Sequence, residues 1–384
     1  MKVQFAAQSP SEFGNETQLI GGTESLYRSF RLVVPWVRQV AHPHDHTIPL
    51  FVAGTPLSRT GLARLKAMDL AIQADDVRAA AERIRPLARR TPVFTSAGFD
   101  GEAGVRAFFK CENFQRGGAF KIRGASNLIL SLSQSALARG IVTYSSGNHA
   151  QAVAIAARHV GARATIVMPE DAPRSKMQAT RSRGATIVAY NRFTDSREEI
   201  AARILTETGA TLVPPFDDPM IMAGQGTAAM ELLEETGPLD ALIAPVGGGG
   251  LLSGCATIAK AIDPAIRMFG AEPEGANDTF LSMQAGERVT VAHPETIADG
   301  LRAPRPGQLT FPVLRKLVER VVLVSDSEIR SAVKFLLLRL KMLVEPSGAV
   351  PAAAVLFRKL PAGIRTVGVV LSGGNVDFED LAKY

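Results

Sequence analysis

Short apolar runs alternate with longer amphipathic stretches from about residue 69 to the C-terminus. The runs Val105–Cys111, Gly140–Tyr144, Ala164–Met168, Thr186–Tyr190, Leu239–Val246, Arg267–Ala271, Arg320–Val324 and Arg365–Leu371 each predict a strand by their length and apolar character. Between them, Ala150–His159, Ser175–Arg183, Asp195–Glu207, Thr227–Glu235, Leu252–Ile262 and Asp326–Leu340 predict helices. A further helix opens at Asp75-Asp76, where acidic residues suit a helix N-terminus. Strands separated by helices of this length need crossover connections, which gives parallel strand order and a doubly wound α/β class. Ligands of such sheets sit beyond the carboxyl ends of the strands.

Residues 1–68 follow no such period. They hold the only tryptophan, Trp36, and three of six histidines, His42, His44 and His46, whose alternation reads as a solvated loop more readily than as a metal clasp. From Ser25 to Lys66 there are six basic residues and one acidic, a weak bias of the transit-peptide kind. A flexible or non-native extension before Met68 fits equally, and the segment is set aside from the fold.

Composition then narrows the classes. At 384 residues with 46% hydrophobic and 21% charged positions, the chain can build a large core and is neither disordered nor a stapled small scaffold. The net charge of +6 divides evenly: residues 1–68 carry 7 Lys plus Arg against 4 Asp plus Glu, and the remainder 36 against 33. With no basic block or aromatic-interleaved stripe, nucleic acid is not the expected partner. Two cysteines, Cys111 and Cys255, in apolar surroundings read as reduced buried thiols and suit a cytoplasmic protein. No membrane span or secretory signal is legible.

Four strand-to-helix turns carry chemistry. In Ala-Pro-Val-Gly247-Gly248-Gly249-Gly250-Leu-Leu-Ser, consecutive glycines before a helix let backbone N–H groups converge on a phosphate. No Gly-Lys-Ser/Thr follows and the spacing G-x-G-x-x-G fails, so neither nucleotide fingerprint applies. In Arg116-Gly-Gly-Ala119-Phe120-Lys121-Ile122-Arg123, a lysine between two apolar residues is a Schiff-base candidate, its pKa expected to fall through burial and the neighbouring cations Arg116 and Arg123. In Tyr144-Ser145-Ser146-Gly147-Asn148-His149, hydroxyls, amide and exposed N–H groups can hold a carboxylate. In Leu371-Ser372-Gly373-Gly374-Asn375, an apolar strand delivers a hydroxyl into a glycine turn.

Together, in this order and spacing, the four segments resemble the serine racemase and serine/threonine dehydratase family of fold-type II pyridoxal-phosphate enzymes, over about four fifths of the chain. The resemblance implies a tryptophan synthase β-like fold: two open, twisted, mostly parallel sheets flanked by helices. It puts residues 69–139 and 218–384 in a large cofactor-binding lobe and residues 140–217 in a small lobe. It also implies that Lys121 holds the cofactor covalently and moves the α-proton, that Gly247, Gly248, Gly249 and Gly250 bind its phosphate, and that Asn148 meets its phenolic oxygen. Ser372 would meet the pyridine nitrogen and Phe120 the ring. The substrate carboxylate would be held by Ser145, Ser146, Asn148 and His149, with Arg197 a further contact. Ser146 stands where dehydratases of the biosynthetic kind have Ala and racemases have Ser, which can return a proton on the opposite face.

The same subgroup implies a divalent cation, Mg²⁺ or else Ca²⁺ or Mn²⁺, on Glu272, the Ala276 carbonyl and Asp278, hard oxygens on one short loop. It implies a homodimer and a small-molecule 3-hydroxy amino acid as partner. The expected reaction is α,β-elimination of serine or threonine to a 2-oxo acid and ammonia, with serine racemisation as a second branch. Alternatives are another substrate such as 3-hydroxyaspartate, or a nucleotide-binding module without covalent chemistry. Ala119 departs from the Ser common before Phe-Lys. Ser96, Gln151 and Asn375 match the nucleotide site of mammalian serine racemases, whereas Gly117 and Phe216 do not, and ATP activation is not expected. No residues follow Tyr384, where feedback-regulated threonine dehydratases carry an effector domain.

Overall fold

The computed structural model describes residues 70–384 apart from Pro173, together with Phe51–Val52 and Thr55–Pro56, which pair antiparallel. The rest of the extension over 1–68, with His42, His44 and His46, lies outside the described residues. The chain divides after Gly61, and the second unit, Leu62–Tyr384, holds both sheets described below.

Ten strands follow in that unit: β1 Val93–Phe94, β2 Arg106–Cys111, β3 Ile141–Tyr144, β4 Ala164–Pro169, β5 Thr186–Tyr190, β6 Thr211–Leu212, β7 Ala241–Pro245, β8 Arg267–Pro273, β9 Arg320–Val324 and β10 Thr366–Leu371. They form a six-stranded sheet in the order β9-β8-β7-β10-β2-β1 and a four-stranded sheet in the order β5-β4-β3-β6. Every pairing is parallel except β1 with β2. The α/β class therefore holds, and all eight expected strands are present with ends shifted by a residue or two. Sequence reading passed over β1 and β6, two residues each, because so short a segment has no period to detect.

Parallel strands covered on both faces read as continuous apolar runs, as in β7, buried throughout. The last strand, β10, inserts between β7 and β2, pairing Val367 with both Ala241 and Ala107. That insertion gathers the carboxyl-end turns of three strands distant in sequence at one edge.

The helix expected from Thr227 begins at Pro219 and runs to Thr236. Asp218 caps it, its Oδ1 accepting from the Met220 and Ile221 amides, and Pro219 occupies the first turn, where a missing N–H costs nothing. It crosses the helix Gly250–Ile262 so closely that a Cβ on Gly254 would lie 2.1 Å from the Met222 carbonyl oxygen, which is why glycine stands there. On the other face of the large sheet, Phe99 and Phe109 pack edge to face at 4.9 Å within the core. The four-stranded sheet has its own core around Ile122, Ile129, Ile166 and Met168.

A buried ion network fixes the helix Lys121–Leu130. Arg123 donates through Nε and Nη2 to Glu112 at 2.7 and 2.8 Å and through Nη1 and Nη2 to Glu231 at 2.7 and 2.8 Å. Lys110 Nζ completes it, 2.7 Å from Glu231 Oε2 and 2.6 Å from the Thr91 carbonyl oxygen. Two cations and two carboxylates balance, so none of the three buried charges is left uncompensated and Glu231, partly exposed, completes the set. Burial pushes the Glu231 carboxyl up, but the hydrogen bond and charge of Arg123 outweigh it and hold the group below its usual value.

Candidate active site

The turns after β2, β3, β7 and β10 line one cavity of about 270 Å³. It takes in Phe120, Lys121, Ser145, Ser146, Asn148, His149, Arg197, Gly247, Gly248, Gly249 and Ser372, so the sequence-predicted residues converge with few exceptions. Gly250 starts the helix behind the loop instead of lining the cavity. Glu272, Ala276 and Asp278 are not on the cavity wall either.

Two backbone hydrogen bonds staple the β2 turn to the β10 turn. The Phe120 amide donates to the Ser372 carbonyl oxygen at 3.0 Å and the Gly374 amide to the Gly118 carbonyl oxygen at 2.9 Å, bridging Ala119 and Gly373. Lys121 follows as the first residue of its helix. Its Nζ lies 5.1 Å from the Phe120 ring centroid and donates to the Pro215 carbonyl oxygen at 2.7 Å. Burial pushes the amine down to about 8. The neighbouring cations expected to help do not: Arg123 is turned into the network with Glu112 and Glu231, and Arg116 is exposed. A neutral amine is the form that forms a Schiff base and accepts a proton.

After β7 the chain passes through Gly247, Gly248 and Gly249 into the helix. Gly249 has φ +91°, the left-handed region that glycine alone enters at low cost. A Cβ on Gly248 would fall 2.3 Å from the Phe216 ring, and the Gly248 carbonyl accepts from Thr310 Oγ1 at 2.7 Å. No side chain caps the helix start, so its first N–H groups and positive dipole end remain for an anion. The cradle fits a phosphate.

Asn148 opens the helix Asn148–His159. Its Nδ2 donates to Glu345 Oε1 at 2.7 Å and its Oδ1 accepts from Asn375 Nδ2 at 2.9 Å. His149 is buried, with Nε2 donating to the Val213 carbonyl oxygen at 2.9 Å and Nδ1 unpartnered. Burial, and then the charge of Lys121, push its pKa down to about 3, so the ring is neutral. Arg197 Nε donates to Glu198 Oε1 at 2.8 Å, with its guanidinium 5.2 Å from the Tyr144 ring centroid.

The expected acidic loop is divided: Glu272 lies within β8 and Asp278 opens the helix Asp278–Ala285, and both are fully buried. Glu272 accepts from the Thr279 and Phe280 amides at 3.1 and 2.8 Å, while both Asp278 carboxylate oxygens lack a partner. Burial raises both carboxyls, Asp278 to about 7, and the negative charge of Asp278 raises Glu272 further. Among the described residues no three His, Cys, Asp or Glu cluster to hold a metal. Two buried carboxyls, one of them with both oxygens unpartnered, fit a hard cation whose other ligands are carbonyl oxygens and water.

Sequence reading missed Pro215, Phe216, Glu345, Ser347 and the segment Asp299–Pro304, all on the cavity wall. They share no motif or period. The one oddity in sequence is Glu345 before Pro346 at a helix start, where a shorter side chain would cap better.

Comparison with known proteins agrees with this geometry. Residues 84–373 match the family model described as pyridoxal-phosphate dependent enzyme. An L-threo-3-hydroxyaspartate ammonia-lyase from Pseudomonas sp is 48% identical over 308 residues, spanning 80% of this chain and 97% of that protein. The structure of maize serine racemase gives a TM-score of 0.79 at 46% identity, covering 82% of this chain and 96% of its own. The serine racemase from Dictyostelium discoideum gives 0.77 at 42% identity, covering 80% and 100%. Among the described residues no helix is long and apolar enough to cross a membrane.

Proposed function

The chain belongs to the pyridoxal-phosphate dependent enzymes, of fold-type II, and from that premise we propose that it is an ammonia-lyase of 3-hydroxy amino acids, serine and threonine among them, with serine racemisation as a second branch. A nucleotide-binding module without covalent chemistry has no support in these relatives. The observation that carries the reading is the Lys121 amine, lowered to about 8 by burial, facing the glycine loop, the Ser145–His149 turn and Ser372 across one cavity.

Bound in the cavity, the cofactor supplies an electron sink that lets the substrate α-proton leave. Gly247, Gly248, Gly249 and the helix N-terminus starting at Gly250 would hold its phosphate, and Phe120 would meet its ring. Ser372 would offer a neutral hydroxyl to the pyridine nitrogen, leaving the ring a weaker electron sink than a carboxylate partner would, which favours elimination over transamination. The Ser145–His149 turn binds the substrate α-carboxylate through its hydroxyls and N–H groups. Lys121 Nζ takes the α-proton on one face and protonates the departing 3-hydroxyl. Ser146, which lines the cavity, returns a proton on the other face when the product is the D-amino acid. Neutral His149 adds no charge beside the amine.

A substrate with a second carboxylate, such as 3-hydroxyaspartate, is the second reading. Arg197 and Arg302 both line the cavity, and the hydrogen bond of Arg197 to Glu198 uses only Nε. Mg²⁺, with Ca²⁺ or Mn²⁺ as substitutes, would sit on Glu272, the Ala276 carbonyl and Asp278 and neutralise the two buried acids. The large lobe over 69–139 and 218–384 and the small lobe over 140–217 are supported by the division of strands between the two sheets. We take the unit to be a homodimer and its compartment the reducing cytoplasm, in keeping with two buried free thiols.

A panel of L-serine, L-threonine and 3-hydroxyaspartate, read for both 2-oxo acid and D-amino acid, tests the proposal. Turnover of at least one substrate, lost in Lys121→Ala, is expected; retained turnover in that variant would overturn it.

A further inference from the structure

The helix Pro346–Leu356 begins at Glu345, which has the extended backbone of an N-cap, φ −69° and ψ 156°, but its side chain caps nothing. Instead the carboxyl is buried, 4% exposed, and reaches into the cavity. There Oε1 accepts from Asn148 Nδ2 at 2.7 Å. Asn148 follows β3 of the four-stranded sheet, whereas Glu345 leads into a helix packed on the six-stranded sheet, so this bond ties one sheet to the other across the cavity.

The other end of the amide is held as well. Asn375 Nδ2 donates to Asn148 Oδ1 at 2.9 Å and to the Gly117 carbonyl oxygen at 2.7 Å. Flipping the Asn148 amide would put donor against donor at Asn375 and acceptor against acceptor at Glu345. Its orientation is therefore fixed, and one of its two N–H groups is left for an oxygen in the cavity. The carboxyl lies tight against the β10 turn: a Cβ on Gly373, beside Ser372, would lie 2.5 Å from Oε1, so glycine stands there.

We propose that Glu345 is a positioning residue for the reaction, acting through Asn148 to aim that N–H at the cofactor. The proposal rests on reading the cavity as the cofactor site. It explains why a carboxyl at a helix start is turned into the cavity instead of capping its own helix.

The test compares Glu345→Ala, Glu345→Gln, Asn148→Ala and the double variant Glu345→Ala/Asn148→Ala. Four readouts are used: titration of apoprotein with pyridoxal phosphate, the visible spectrum, kcat and KM. Glu345→Ala should weaken cofactor binding and lower kcat by roughly 10–100-fold, with KM little changed and the visible band shifted. Glu345→Gln keeps an acceptor and should restore most of the loss. On the Asn148→Ala background, Glu345→Ala should add nothing further. Full additivity, or a Gln variant as impaired as Ala, overturns the proposal. Wild-type protein that binds no pyridoxal phosphate would overturn the reading of the cavity itself and the proposal with it.

Discussion

The Lys121 amine donates to the Pro215 carbonyl oxygen, 2.7 Å away, where the chain leaves the four-stranded sheet for the helix Pro219–Thr236. The next residue, Phe216, fills the space a side chain on Gly248 would need. One short segment thus sets both the lysine and the glycine loop.

Covalent attachment of the cofactor to apoprotein requires the neutral amine. With the Lys121 pKa lowered by burial to about 8, the attachment rate should climb with pH and level off above that value. A solvated lysine would keep climbing toward ~10.4. Stopped-flow mixing of apoprotein with cofactor across pH separates the two. Stability follows the same sign: the unfolded chain holds more protons between about 8 and ~10.4, so apoprotein stability rises with pH across that window.

His149 titrates in the opposite range. Its pKa of about 3 lies below the ordinary ~6.5 through burial first and the Lys121 charge second. Between these values the unfolded histidine binds a proton that the folded one refuses, so stability is lost as pH falls from ~6.5 toward 3, on the order of 5 kcal/mol in total. Urea midpoints followed across acid pH should fall less steeply in His149→Gln than in wild type. Parallel profiles would show that His149 is not the group responsible.

Replacing Arg123 by Met leaves Glu112 and Glu231 buried with only Lys110 to offset them. A loss of about 3–5 kcal/mol in unfolding free energy is expected, and Arg123→Lys should not rescue it, because a single ammonium cannot satisfy both carboxylates with paired bonds. A change below ~1 kcal/mol would mean that the network relaxes or takes in water.

If a divalent cation neutralises Glu272 and Asp278, a chelator should lower the melting midpoint and added Mg²⁺ should restore it. Asp278→Asn should make the protein insensitive to both treatments. Thermal melts with and without chelator check this, and a melt that chelation leaves unmoved in wild type would rule out the cation.

Ser146→Ala should abolish D-serine production while part of the 2-oxo acid formation survives, because only the second face loses its proton donor. Chiral chromatography of the products decides it, and undiminished D-serine would exclude Ser146 from that role.

Much of this was legible in the sequence because it is local. Four glycines in a row are costly unless a turn needs them, and Lys121, Ser145–His149 and Ser372 each follow an apolar run that names its strand. What escaped depends on distance or on the absence of a polar face. The helix Pro219–Thr236 reads short because Ile221–Ala229 is buried on every side, so no stripe marks its first half. Arg123 reads as a neighbour that depresses Lys121 because one of its two carboxylate partners, Glu231, lies 108 residues away. Glu345 shows in sequence only as a long side chain at a helix start, because Asn148, its partner across the cavity, is 197 residues distant.

That Lys121 carries the cofactor and does the proton transfer is tested most directly by reducing the cofactor-loaded protein with borohydride and mapping the modified peptide by mass spectrometry. The cofactor's mass is expected on Lys121 alone, with none on Lys110, which is committed to Glu231 and the Thr91 carbonyl. Label on another lysine, or on none in a protein that turns over its substrate, would contradict it.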